Sequence, residues 1–414
     1  MKFNKWTLGL AAGGVVSLGS AVQAEEAQKQ MSQVGTAVSA TTLSGYVDAS
    51  MIWKFGTGNA NLPGRAFDGV GKLDGFNLNV VEINLEKPLS EDQWAAGYKV
   101  SILAGPDAVG FNTAGGGGDF GLKEAYVALR VPAGNGIDFK VGSFNTIIGY
   151  ESFESYLNPN YSRSFGWQLE PTQHTGVLAS YKANDVVSFS GGIANTWNAG
   201  INARPTRGIT GAGTPIPAKE SEKTYLASVS ITAPDSWGFL KGSAWYAGII
   251  NGLAGNTKDT TSAYIGGSLN TPIEGFSVGG AFDYRWNGKG ATVNPPGPAT
   301  AALVTAGNNW AYAIAGYASF QANEKWKFNA RLDYTEGSDG TFYDRNGNGV
   351  SDAQNRLGSV TLTSDYALWA NVISRAELRW DHSMSGDTPY GGTTPGVGTQ
   401  HNAVTAALNL IYKF

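Results

Sequence analysis

The sequence contains no cysteine, and its three histidines, His174, His382 and His401, lie far apart in the chain. Without thiols there is no disulfide framework, no thiolate nucleophile and no soft metal ligand. Scattered histidines leave little for hydrolytic chemistry. The single adjacent pair, His382-Ser383, would point to opposite sides of a strand. Basic residues are not in surplus either: 29 Lys and Arg stand against 33 Asp and Glu, a formal charge of −4, so nothing is set aside for a nucleic-acid backbone. No stretch approaches about 18 uninterrupted apolar residues, which excludes a membrane-spanning helix. If this chain crosses a membrane, it crosses as strands.

Its amino end supplies a compartment. Met1 to Ala24 has Lys2 and Lys5, an apolar run from Trp6 to Val16, and small residues ending Val22-Gln23-Ala24, the layout of a secretory signal peptide cleaved after Ala24. Export would remove two lysines and leave a formal charge of −6. Residues 25–41 read as a periplasmic leader, and 42–414 as one domain.

What is abundant is glycine, 57 residues, and aromatic side chains, including 18 tyrosines and 12 tryptophans. They are arranged with a period of two. In the last thirteen residues Val404, Ala406, Leu408, Leu410, Tyr412 and Phe414 fall on one face, and Thr405, Ala407, Asn409 and Lys413 on the other; only Ile411 breaks the pattern. Such a strand closes a transmembrane β-barrel with a wet lumen. The same alternation predicts a first strand at about 43–55 and a second at 75–86 with a bulge near Val80, where Phe76, Leu78 and Val80 hand over to Val81, Ile83 and Leu85. A third strand begins at Trp94, a fourth spans about 121–131, and a fifth starts at Ile137. Later, Trp326, Phe328, Ala330, Leu332 and Tyr334 alternate with Lys327, Asn329, Arg331, Asp333 and Thr335. A Lys or Arg facing lipid at the midplane would cost about 2–4 kcal/mol, so these charges face water.

Short turns at 87–92, 132–136 and around Asn184, Asp235, Ile273, Asn323 and Ala367 alternate with long polar segments. The fold class is therefore all-β: a transmembrane antiparallel barrel of about sixteen strands, with short periplasmic turns and long extracellular loops. Trp53, Trp94, Trp197, Trp237, Trp245, Trp286, Trp310, Trp326 and Trp380 fall near strand ends and read as interfacial aromatic girdles.

Leu43-Ser-Gly-Tyr-Val-Asp-Ala-Ser50, Glu82-Ile-Asn-Leu-Glu-Lys-Pro88, Val141-Gly-Ser-Phe-Asn-Thr-Ile-Ile-Gly-Tyr-Glu151 and His174-Thr-Gly176 resemble the OmpL-like β-barrel porin family, over essentially the whole exported chain. The resemblance implies passive diffusion of small hydrophilic solutes across a bacterial outer membrane. It implies no selectivity residue.

In a channel of this size, permeation depends on whatever narrows the lumen and on the charges there. The third long loop, 148–172, is the candidate constriction, with Glu151, Glu154, Arg163 and Glu170 among Tyr150, Tyr156, Tyr161, Phe165 and Trp167. So many aromatics suit an inward fold; an external lid or a subunit contact is the alternative. On the wall, Arg375, Glu377, Arg379 and Asp381 share one strand face, joined by Lys123, Lys140, Lys182, Arg285, Lys327 and Arg331. They either set a transverse field or pair and hydrate the wall. Mixed signs argue against sharp ion selection.

Asp344-Arg-Asn346-Gly-Asn348-Gly349-Val350-Ser-Asp352 places oxygens at positions 1, 3, 5, 7 and 9 of a calcium loop, with glycine at 6, but Asn355 replaces the bidentate Glu at 12. A weak Ca2+ site in an outer loop and an Asn-Gly turn cluster both fit. The expected function is an outer-membrane porin for small hydrophilic solutes and ions, not an enzyme. A surface anchor or adhesin, or a barrel with a loop-borne active site, is the alternative. Expected partners are outer-membrane lipid, the barrel-assembly machinery through terminal Phe414, and further copies of the chain in a homotrimer.

Overall fold

The structure, a computed structural model, describes residues 33–36, 39–108, 119–197, 200–209, 215–217, 219–253, 259–287, 309–338, 340–343 and 354–414. Among them, sixteen long strands form one closed ring. They are β1 (Ser39–Phe55), β2 (Gly75–Lys87), β3 (Ala96–Ala104), β4 (Phe120–Val131), β5 (Ile137–Asn145), β6 (Gln173–Lys182), β7 (Val187–Ala194) and β8 (Thr224–Thr232). The second half comprises β9 (Ala244–Leu253), β10 (Asp259–Asn270), β11 (Phe276–Asn287), β12 (Asn309–Gln321), β13 (Trp326–Ser338), β14 (Gln354–Trp369), β15 (Val372–Ser383) and β16 (Asn402–Lys413). Each pairs antiparallel with its successor, and β16 returns to β1, from Val404 opposite Phe55 to Lys413 opposite Tyr46. Closure leaves no unpaired edge, which a bilayer would not tolerate. Two small additions lie outside the ring: Gln33–Thr36 folds back on the start of β1, and Thr206–Ile209 pairs with Pro215–Pro217.

The faces of the strands follow the alternation. Leu332 is 63% exposed whereas its neighbour Arg331 is 0% exposed, so the apolar face looks out and the charged face looks in. Short connections at 88–95, 132–136, 183–186, 233–243, 271–275, 322–325 and 370–371 gather at one end, the turn end. The long connections gather at the other, the loop end; in outer-membrane barrels as a class the short turns face the periplasm.

Several local expectations shift. β1 begins four residues earlier than 43, and β3 starts at Ala96, leaving Trp94 in the preceding turn with a positive φ of 60°. The turn expected around Ala367 is Ala370-Asn371, with Asn371 at φ 64°. Register slips where Asp48 faces Val80 and Ala49 faces Leu78, so Asn79 is the extra residue and the bulge adjoins Val80. Ile411, the odd residue of β16, points inward and is buried with Tyr46, Val80 and Leu103. Trp197 leaves the girdle: it is 6% exposed, donates to Ser262 Oγ at 3.2 Å and lies 5.8 Å from the Arg285 guanidinium.

Candidate functional site

The barrel interior is organised by the third loop, 146–172. At its base Thr146 N donates to Thr172 O at 3.1 Å, prolonging the β5–β6 ladder by one step. The chain then crosses the lumen. Ile148 presses on the bare backbone of Gly248, where an added Cβ would sit 2.7 Å from its Cγ2. Tyr150 lies over Gly279, where a Cβ would be 2.2 Å from its Oη, and stacks on Tyr317 with ring centroids 4.1 Å apart. At both places a larger residue would have to displace the loop side chain seated there.

Beyond Tyr150 the loop meets the charged wall. Glu151 accepts from Ser164 N at 2.7 Å and from Arg331 Nη1 at 2.9 Å. Glu154 pairs with Lys123, which also reaches Glu82 at 3.0 Å. Arg375 donates to the carbonyls of Ser155 and Asn158, both at 2.6 Å, and pairs with Asp365 at 2.8 Å. Glu377 accepts from Tyr161 N at 2.7 Å, Ser162 N at 3.0 Å and Thr363 Oγ1 at 2.7 Å. Arg331 donates to the carbonyls of Ser162 and Arg163 at 2.6 and 3.1 Å, and Arg379 to that of Arg163 at 2.6 Å. Arg285 closes the circuit on Gln168 O at 3.1 Å. Arg163 keeps its hydrogen bonds within the loop, donating to Tyr161 O at 2.7 Å, and lies against the edge-on pair of rings formed by Trp167 and by Phe67 of the first loop, 5.5 and 5.3 Å away.

Loop backbone that enters a barrel needs partners for every N–H and C=O it loses from water. Here the wall supplies them, arginine to carbonyls and Glu377 to amides. A guanidinium suits this task because one group offers five donors in a fixed plane. The wall charges therefore hold the loop instead of standing free in a wet lumen.

The first loop, 56–74, and the last, 384–401, close over the same end. Arg65 donates to Asp381 at 2.8 and 3.1 Å and to Thr405 Oγ1 at 2.8 Å, and also pairs with Asp68. Lys72 pairs with Asp107 and donates to Asn79 Oδ1 at 2.8 Å. Asn61 Nδ2 donates to Gly391, Thr394 and Val397 carbonyls at 2.8–3.0 Å, latching the two loops together. As a result the inward positions are nearly all buried toward the loop end. Toward the turn end some, such as Ser190, Ser230 and Ala244, are buried as well, while Lys140, Ser180, Ser228, Ser268, Lys327 and Lys413 are partly exposed and line a vestibule on the turn side of the third loop.

Two loop carboxyls are pushed in opposite directions. Burial raises Glu170 well above the usual carboxylate range, reinforced by Asp283 and Glu151 nearby. Burial also opposes ionisation of Glu154, but the Lys123 ammonium outweighs it and holds Glu154 below that range. Asp107, buried in the second loop, is pushed up to about 6 despite Lys72.

Among the residues singled out in the sequence, Glu151, Glu154, Arg331, Arg375, Glu377 and Arg379 come together between loop and wall. Asp381 joins them through Arg379 and Arg65. Glu170 packs beside Asp283, and its Oε2 lies 2.2 Å from where a Cβ on Gly149 would sit. Lys327 stays apart, in the vestibule opposite Asp365; Lys182 turns to Asp185 at 2.7 Å. Asp344, Asn346, Asn348, Val350 and Asp352 lie outside the described residues, while Asn355 accepts the amides of Phe342 and Tyr343 at 3.1 and 3.3 Å. Arg65, Lys72, Glu82 and Asp48, the last accepting from Asn79 Nδ2 at 2.7 Å and from Ser155 Oγ of the third loop, were not singled out. Only the Arg65–Asp68 spacing hinted at the first of them.

The chain matches the family model described as "Putative beta-barrel porin-2, OmpL-like" over residues 40–414. No curated protein matches it in sequence. Among solved structures it is similar to the outer-membrane channel DcaP of Acinetobacter baumannii, with TM-score 0.59 and 12% identity over 93% of this chain and 100% of that one. The trimer form of OmpT from Vibrio cholerae gives 0.55 and 11% over 90% and 99%. An anion-selective porin from Comamonas acidovorans gives 0.53 and 12% over 90% and 99%. At such identities the structures show the fold alone, a porin-like closed barrel. The family model, spanning almost all of the described barrel, shows more: this chain belongs to the OmpL-like β-barrel porin-2 family.

Proposed function

We propose that this protein is an outer-membrane channel for passive diffusion of small hydrophilic solutes and ions, narrowed by the third loop. The observation that carries the reading is the loop's inward course: it is anchored on all sides by buried charges, with an accessible vestibule on its turn side. A filled, purely structural interior would have no use for arginines aimed at loop carbonyls when apolar packing would serve as well. Export through the Met1–Ala24 segment, assembly through Phe414 and a homotrimer complete the proposal, the last supported by the trimer form of OmpT from Vibrio cholerae. Swelling of liposomes containing the refolded protein in isotonic arabinose tests it. Swelling above that of protein-free vesicles supports diffusion. Its absence, with protein inserted and heat-modifiable on a gel, would favour the second reading, a surface anchor. That reading draws on one specific observation, the packed loop end of the barrel.

A further inference from the structure

The charges of the interior are unevenly distributed. Every strand from β11 to β16 except β12 places acids or bases inside, and so do β1 to β5. From β6 to β10 the inward positions carry neither, apart from His174 buried at the loop end and Lys182 paired with Asp185 beside the turn. The accessible inward groups there are hydroxyls, among them Ser180, Ser228 and Ser268, with the half-buried Tyr246 between them. Ser180 and Ser190 are linked at 3.0 Å across adjacent strands. Gly248 and Gly266 flank Tyr246, with Ile148 of the third loop seated over the first and the Tyr264 side chain over the second, and the half-buried Tyr150 and Ile147 of the third loop pack against the same cluster on the loop side.

We propose that this sector of β6–β10, with Tyr150 above it, is a recess open to the turn end that binds uncharged polyhydroxylated solutes of sugar size. The proposal rests on the channel reading and names its solute class. An ion entering the recess gives up hydration and meets no opposite charge on these strands, and among the neighbouring charges Arg285 is held by Gln168 O, Lys182 by Asp185 and Arg130 by Asp138. A polyol exchanges its water contacts for hydroxyls that both donate and accept, and its apolar ring face covers a tyrosine ring. Lys140, 4.8 Å from the Tyr126 ring, stands on the strand next to the sector, and Lys327 and Lys413, the latter 5.3 Å from the Tyr156 ring, stand on strands outside it. An anionic sugar would be held there, outside the recess.

The test uses refolded full-length mature protein in a planar bilayer in potassium chloride. Trehalose, which is neutral, or lactobionate, a disaccharide acid, is added to each side in turn. Trehalose is expected to interrupt the current, more from the turn end, and lactobionate about three- to tenfold less often. Tyr246→Ala should shorten the interruptions about three- to tenfold while the conductance steps persist. Ser228→Asp, which puts a carboxylate in the recess, should move the reversal potential toward cations. Equal interruption by both sugars, or interruptions unchanged in Tyr246→Ala, overturns the inference and leaves the channel reading intact. The absence of any conductance step removes both.

Discussion

Glu377 is the acceptor that holds the middle of the third loop, so its removal gives the sharpest perturbation. Glu377→Ala leaves Tyr161 N, Ser162 N and Thr363 Oγ1 without their acceptor, at a buried position that is 6% exposed. Each stranded buried donor costs about 1–3 kcal/mol, so the docked segment loses about 2–6 kcal/mol from its two amides. Arg375 and Arg379 would also lose the negative charge between them, which adds repulsion of the same sign. Since about 1.4 kcal/mol is tenfold in an equilibrium, the undocked loop should rise from rare to well populated. The ring itself should survive, because the Glu377 side chain takes no part in the strand ladder. The assay is single-channel recording: larger or noisier steps than wild type are expected, together with faster protease cleavage within 151–170. Glu377→Gln keeps one acceptor oxygen and should fall between. Heat-modifiable Glu377→Ala protein with wild-type conductance and unchanged cleavage would refute the anchoring argument.

Gly279→Ala should push Tyr150 off its stack on Tyr317, costing about 0.5–1.5 kcal/mol and broadening the distribution of conductance steps; the recordings just described would report it. Glu170 binds its proton more tightly in the docked loop than when released, so above the ordinary carboxylate range docking weakens as pH rises. Asp283 and Glu151 lie beside it, and Glu170→Gln should flatten current noise measured between pH 5 and 8. Glu154 has the opposite sign: its contribution is complete above the ordinary range and is lost as pH falls below it, so acid should loosen the Lys123 corner in protease-cleavage assays. Removing Phe414, whose backbone exchanges hydrogen bonds with Gly45 at 2.9 and 3.0 Å, should lower the yield of heat-modifiable barrel in outer-membrane fractions without changing expression.

Much of the barrel was legible because a strand's period is short and local. Leu332 beside Arg331 says which face is wet without reference to any other strand, and the slip at Val80 shows in the sequence as two adjacent apolar residues. Loop 148–172 was legible as unusual because six aromatics in a solvated loop have no reason to be there. Its partners were not. Glu377 and Ser162 are far apart in sequence, and backbone amides carry no sequence signature, so the wall's work of receiving loop backbone emerges only in three dimensions. Trp197 was misplaced for a related reason: a tryptophan at a strand end looks the same whether it faces lipid or folds in over Arg285. The uncharged run of inward positions from β6 to β10 was present in the alternation all along. Its meaning appeared only once the other walls were found to be occupied.

Single-channel conductance of the refolded mature protein under a salt gradient tests the central claim most directly. The account predicts stable open steps with a reversal potential near zero, because beside the third loop the charges of both signs are paired with one another or bound to loop backbone. A barrel that is inserted and heat-modifiable yet passes no current, in wild type and in Glu377→Ala alike, would contradict it.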